Sequence, residues 1–183
     1  MQITYFGENG FVLKGQDATV ALACPLEKTN DVDIIITATT DEKVKANDNQ
    51  AVFDWPGEYE SKKVSVMLAP VGKDKKTRIA KVILDNIAFA HIDNLTEPLT
   101  EAEEEKLGNI DVLFVNISEQ ETRKVVEVVG PRLVIPMNFA AGEQIDFAKS
   151  LGFGEIEEKD VLKLKKSNLP NDRMEFAVIR QQN

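Results

Sequence analysis

The stretch Val32-Asp33-Ile34-Ile35-Ile36-Thr37-Ala38-Thr39-Thr40-Asp41-Glu42-Lys43 decides how this chain folds. Its three successive isoleucines show no alternation of apolar and polar residues, so a strand here must be covered on both faces. Such a strand belongs inside a layered structure and not on a solvated hairpin. Its exit into a run of Thr, Asp, Glu and Lys puts polar side chains at the end of a buried strand. That is where the sites of layered α/β proteins gather.

Upstream, residues 3–6, 11–13 and 19–23 are short apolar stretches separated by Gly7-Glu8-Asn9-Gly10 and Lys14-Gly15-Gln16-Asp17. These separators are turn signals at hairpin spacing and predict an antiparallel meander. Downstream, residues 51–53 predict a short strand before a Pro56-Gly57 turn. Further strands are expected at 64–68, 80–84 and 87–90, with turns at Gly72-Lys73-Asp74-Lys75-Lys76 and Asp85-Asn86. The second half alternates helix and strand. Thr100-Glu101-Ala102-Glu103 and Ser118-Glu119-Gln120-Glu121 both read as capping boxes, and Gly108 and Gly130 read as helix stops. Strands are expected at 112–115 and 133–136, a third helix over 142–151, and closing strands at 161–164 and 175–179. No repeat or linker interrupts the chain, so one domain over residues 1–183 is expected.

Composition narrows the function classes. With 22 Lys and Arg against 31 Asp and Glu, the net charge is −9, and the isoelectric point is near 4.8. Affinity for a phosphate backbone rests on clustered cations, so neither nucleic acid nor an anionic membrane is an expected partner. No apolar run approaches the ~20 residues of a spanning helix. The opening Met1-Gln2-Ile3-Thr4-Tyr5-Phe6 lacks a basic segment followed by a long apolar one, so no signal peptide is expected. The single cysteine, Cys24, forms no internal disulfide and suits a reducing cytosol. A single histidine, His91, excludes His-rich metal centres.

Four strand exits stand out together: Gly7-Glu8-Asn9-Gly10-Phe11, the Thr37 to Lys43 loop, Ala90-His91-Ile92-Asp93-Asn94-Leu95-Thr96-Glu97-Pro98-Leu99-Thr100, and Val134-Ile135-Pro136-Met137-Asn138-Phe139. In their order and spacing, with Pro56-Gly57-Glu58-Tyr59 and the closing Leu164-Lys165-Lys166-Ser167-Asn168-Leu169-Pro170, the chain resembles the metallo-β-lactamase-fold hydrolases. The resemblance is to the small members that open with a Tyr-x-Gly-His turn and runs nearly end to end. It implies an α/β fold, a four-layer αββα sandwich, with a site for zinc, iron or manganese on the sandwich edge.

That family holds its metals with a His-x-His-x-Asp-His loop, a later Gly-Asp pair and a His after Ile-Pro-Met, and metal-bound water becomes hydroxide near neutral pH. Carried over by resemblance, the loop ligands fall on Ala38, Thr40, Glu42 and Lys43. The Gly-Asp pair falls on Asp93-Asn94, the next Gly-His on Thr96-Glu97, and the late His on Asn138. The early Gly-His becomes Gly7-Glu8, the Asp-Pro after the third strand becomes Cys24-Pro25, and a His expected between Val66 and Lys73 has no counterpart. Ala38 offers no donor, Thr40 and Asn138 are weak neutral donors, and Lys43 sets an ammonium where a dication would sit.

The resemblance therefore implies a scaffold that has lost its metal, with no cofactor. The vestigial pocket comprises Ala38, Thr40, Glu42, Lys43, Asp93, Asn94, Glu97 and Asn138, and no catalytic residue is assigned. Lys43 is expected to pair with Glu42, Asp93 or Glu97. Two alternatives are an anion held by Lys43 and Asn138, and a metal-free hydrolase using two carboxylates. The expected function is a cytoplasmic, catalytically inactive binding or assembly module with a protein partner or a second copy of itself. The alternatives are a metal-dependent hydrolase with an atypical site, and a binder of small anionic ligands. His91 is expected to be a strand-end imidazole bonded to backbone, Cys24 a buried inert thiol, and Trp55 buried beneath the Pro56-Gly57 turn.

Overall fold

In the computed structural model of the chain, which describes residues 1–37, 44, 46–71, 77–92, 95, 97–117 and 121–182, the predicted meander opens the fold. It comprises β1 (Gln2–Tyr5), β2 (Phe11–Lys14) and β3 (Thr19–Leu22), antiparallel in sequence. A 3-10 turn at Leu26–Lys28 then leads to β4 (Ile34–Ile36), which runs parallel to both β3 and β5 (Ala51–Phe53). The isoleucine run is covered on both faces, as its lack of alternation requires. Ile34 and Ile36 enter the core between the sheets, and Ile35 joins Ala21, Cys24 and Val32 on the outside.

The second sheet begins with β6 (Gly57–Ser61), β7 (Val64–Val71), β8 (Thr77–Leu84) and β9 (Ile87–Ile92), all antiparallel. It turns parallel through β10 (Val112–Asn116) and β11 (Leu133–Met137). Between these strands lie α1 (Glu101–Leu107) and α2 (Thr122–Val129). The chain closes with α3 (Glu143–Ser150), β12 (Glu158–Lys159), β13 (Leu162–Lys163), β14 (Glu175–Phe176) and β15 (Val178–Ile179). Among the described residues the sheets run β13-β1-β2-β3-β4-β5 and β14-β11-β10-β9-β8-β7-β6, and β12 pairs with β15.

Two mixed sheets face each other and the described α-helices pack on the outer face of the second, in the sandwich the resemblance implies. Period-two alternation makes the core. Tyr5, Phe11, Leu22 and Phe53 of the first sheet meet Leu68, Phe89, Phe114 and Ile135 of the second. Burying each such side chain stabilises the fold by about 1.5–3 kcal/mol. The opposite face of the second sheet, through Ile79, Ile92, Leu113 and Val115, packs on Leu107, Val125 and Val126 of the helices. Over the first sheet the described cover is thinner: Cys24, Val32, Val44 and the ammonium of Lys28, which stands 5.3 Å above the ring of Phe6.

Three local expectations are refined. The segment after Pro56 is a full strand, because Gly57–Ser61 finds a partner in Val64–Leu68. The Ser118 capping box lies outside the described residues, and α2 opens at Thr122, whose hydroxyl donates to the Asn116 carbonyl at 2.5 Å. The Gly72 to Lys76 turn also lies outside them. No helix among the described residues is long and apolar enough to cross a membrane.

Candidate functional site

Parallel pairing of β3, β4 and β5 carries their C-terminal ends to one edge of the sandwich, beside the turn between β1 and β2. The ends of β9, β10 and β11 come together in the same way in the second sheet. Three polar ties close this edge across the sheets. The Asn138 amide N–H, just past β11, donates to the Glu8 carbonyl at 2.8 Å. His91 Nε2 lies 2.9 Å from the Asn9 carbonyl oxygen. Buried Arg78 of β8 donates to the Asp54 carbonyl at 2.8 Å and to the Thr37 hydroxyl at 3.2 Å.

Tyr5 organises the turn. Its phenol donates to the Glu8 carbonyl at 2.8 Å and accepts from the Asn138 N–H at 3.0 Å. Burial raises its pKa above the usual phenol value, and the Glu8 carboxylate adds to this against the opposing Asn138 bond. Gly7 has φ +89°, a conformation that glycine adopts without steric cost. A Cβ on Gly10 would stand 3.2 Å from the Ala23 carbonyl oxygen, so its absence lets the turn press against the exit of β3. Beneath the turn, Phe11 stacks with Tyr5 at 4.8 Å between centroids and meets His91 edge-on at 6.4 Å. Packed among aromatics and bonded to a carbonyl, His91 serves as a structural imidazole, as expected. Cys24 is buried and its thiol donates to the Phe11 carbonyl at 3.0 Å.

Of the eight residues assigned to the vestigial pocket, Ala38, Thr40, Glu42, Lys43, Asp93 and Asn94 lie outside the described residues. Glu97 is half-buried just before α1, and Asn138 is exposed with φ +51°. The backbone brings Asn138 to Glu8, two positions that carry His in the resembled family. Neither offers an imidazole here. Among the described residues no group of three or more His, Cys, Asp or Glu is placed to hold a metal ion. The donor set at the positions that the resemblance assigns as ligands, with an alanine, a threonine, an asparagine and a lysine, does not fit a zinc, iron or manganese centre.

Trp55 corrects an expectation. It is 66% exposed, because the turn that was expected to cover it is the start of β6, and the Tyr59 hydroxyl that reaches back takes only its carbonyl, at 2.6 Å. Arg78 was not singled out from the sequence. An arginine in the apolar-polar pattern of Thr77–Leu84 carries no sign that its guanidinium is turned inwards to tie two strand exits.

The sequence matches the family described as Beta-lactamase superfamily domain over residues 2–138. No curated protein matches it. Among solved structures, a metallo-β-lactamase superfamily protein from Thermotoga maritima is similar with a TM-score of 0.78 at 24% identity, covering 98% of this chain and 100% of that one. Igni18, a metallo hydrolase from Ignicoccus hospitalis, gives 0.61 at 14% identity over 90% of this chain and 99% of its own. YhfI from Bacillus subtilis, a metallo-β-lactamase fold protein, gives 0.61 at 8% identity over 100% and 97%. At these identities the likeness is one of fold. The matched family, the paired sheets and the strand exits gathered at one edge make this chain a member of the β-lactamase superfamily, with no metal-holding cluster among its described residues.

Proposed function

We propose that residues 1–183 form one metallo-β-lactamase-like domain that does not hydrolyse substrates and works as a metal-free binding or assembly module. The observation that carries this is the donor set: Ala38, Thr40, Lys43, Asn94 and Asn138 stand where the family needs imidazoles and a carboxylate. A hydroxide nucleophile at neutral pH needs a metal to lower the pKa of water, and an ammonium in its place supplies no such activation. A cytosolic setting is part of this proposal, on the ground that a chain with a single cysteine forms no internal disulfide.

We propose further that Lys43 takes the place of the metal at the positions the resemblance assigns and pairs with Glu42, Asp93 or Glu97. Carboxylates gathered without a cation repel each other, and burial sharpens the penalty. The protein is purified without chelator and its metal content measured, followed by turnover of generic phosphodiester and ester substrates with added Mn²⁺ or Zn²⁺. Metal far below stoichiometric and no chelator-sensitive turnover are expected. Near-stoichiometric metal or chelator-sensitive activity overturns the proposal.

A further inference from the structure

The outward face of β6, β7 and β8 is laid out in two rows. Pairing sets Glu58 opposite Met67 and Met67 opposite Lys81; the next row sets Glu60 opposite Ser65 and Ser65 opposite Ile83. Directly paired residues share a face, so each row presents an acid at the sheet edge and a neutral residue in the middle. On the far side stand Lys81, whose ammonium donates to the Leu107 carbonyl at the end of α1, and Lys106 from the last turn of that helix. These walls enclose a shallow groove of about 460 Å³. Its floor is open: Ile83 is 40% exposed and Met67 is half-buried.

We infer that this face is the interface of a homodimer whose two-fold axis lies in the interface along β7. An isologous interface must be complementary to itself. Rotation about an axis along β7 exchanges the two flanks, so Glu58 and Glu60 of one copy face Lys81, Lys106 and Ile83 of the other. Met67 then meets Met67 at the centre. An axis running across the strands would instead set Glu58 over Glu60, acid against acid, so charge selects the first arrangement. The acid and lysine columns are two strand spacings apart, about 10 Å, too far to neutralise each other within one copy. Among the described residues Glu58, Glu60 and Lys106 form no ion pair, which leaves them available to a second copy. An apolar centre between charged flanks is also the usual anatomy of such a patch. Side-by-side association through the free edge of β6 is disfavoured by the same acids, since antiparallel pairing about Tyr59 would again oppose Glu58 and Glu60. The partner named here deepens the assembly role proposed above.

The test is sedimentation of the full chain from about 1 µM to several hundred micromolar. A dimer is expected in the upper part of that range at low salt, weakening as salt is added, since the attraction at the flanks is screened. Replacing both acids, Glu58→Lys with Glu60→Lys, is expected to weaken association at least about tenfold with no change in thermal midpoint at about 1 µM, where the chain is monomeric, both side chains being exposed. Mixing that variant with Lys106→Glu is expected to give tighter association than either shows alone. Lys81 is left in place because it caps α1. Should the double variant fail to fold, the salt dependence of the native chain decides, and a dimer indifferent to salt overturns the interface. So does a chain that stays monomeric throughout, or a double variant that dimerises like the native chain. A metal-free monomer would overturn this interface and leave the metal-free reading standing, whereas a dimer loaded with stoichiometric metal would do the reverse.

Discussion

Asp111 shows how one side chain can hold a junction. Its carboxylate accepts from the Ala88 N–H at 2.8 Å, from Lys166 at 2.5 Å and from Arg132 at 3.3 Å, with only 10% of the side chain exposed. Burial pushes its pKa up, but the Ala88 N–H and the two cations outweigh burial and hold the carboxyl below its usual range. Asp111→Ala is expected to destabilise the fold by about 2 kcal/mol, since the part-buried Ala88 N–H loses its acceptor and Arg132 and Lys166 lose their shared carboxylate. Urea denaturation measures this. Because the folded-state pKa is depressed, the stabilisation is complete above the unfolded-state value, near pH ~4, and is lost as pH falls through the folded-state value. The stability gap between the native protein and Asp111→Asn should therefore narrow as the pH is lowered through that window. Tyr5→Phe removes a milder tie. The Asn138 N–H keeps its bond to the Glu8 carbonyl, so a loss of about 1 kcal/mol is expected in the same measurement.

Among the elements, α1 depends most on its ends. At seven residues it is too short to persist alone in water. The Thr100 N–H donates to Glu103 Oε2 at 2.7 Å, and the Glu103 N–H donates back to the Thr100 hydroxyl at 3.4 Å, completing the predicted box. Thr100→Ala is expected to cost about 1 kcal/mol by thermal or urea unfolding. The β6–β7 hairpin is held differently. Lys62 and Lys63 both adopt positive φ, 49° and 62°, in a turn where Asn-Gly would be the relaxed choice. Lys62 reaches Asp33, whose pKa is lowered by that bond, and Lys63 reaches Asp17 at 3.1 Å. The two lysines pin the hairpin to the first sheet, and the exposed Lys63 pair contributes under ~1 kcal/mol.

At the scale of the molecule, the scaffold can be asked whether it still remembers its metal. Restoring donors through Ala38→His, Thr40→His, Lys43→His, Asn94→Asp and Asn138→His is expected to bring back binding of Zn²⁺ or Mn²⁺, read by metal content and titration calorimetry. Asn138 has left-handed backbone, which His also tolerates better than most residues, so that substitution does not fight the chain. Metal binding by the unmodified protein would contradict the donor argument. Lys43→Ala tests the cation proposed for the vacated centre: a loss of about 1–3 kcal/mol is expected if its pair is buried, and under ~1 if it is exposed.

Local pattern made single strands, turns and helix starts legible, whereas the four-layer sandwich was implied by the family resemblance. Ile34-Ile35-Ile36 announces a strand covered on both faces, Asp85-Asn86 announces a tight turn, and Thr100 with Glu103 announces a helix start, because each depends on neighbours close in sequence. The residues at the positions the resemblance assigns as ligands are equally a property of the sequence, since a donor atom is present in a side chain or it is not. Pairing and burial are long-range and were decided only by tertiary structure. The Pro-Gly signal at 56–57 hid β6, which exists because Val64–Leu68 lies beside it. Trp55 lost its cover for the same reason. Arg78 joins the exits of β4 and β5 although 41 residues separate it from Thr37. The two rows of Glu58 and Glu60 against Lys81 and Ile83 come from strand register, which no local pattern in the chain encodes.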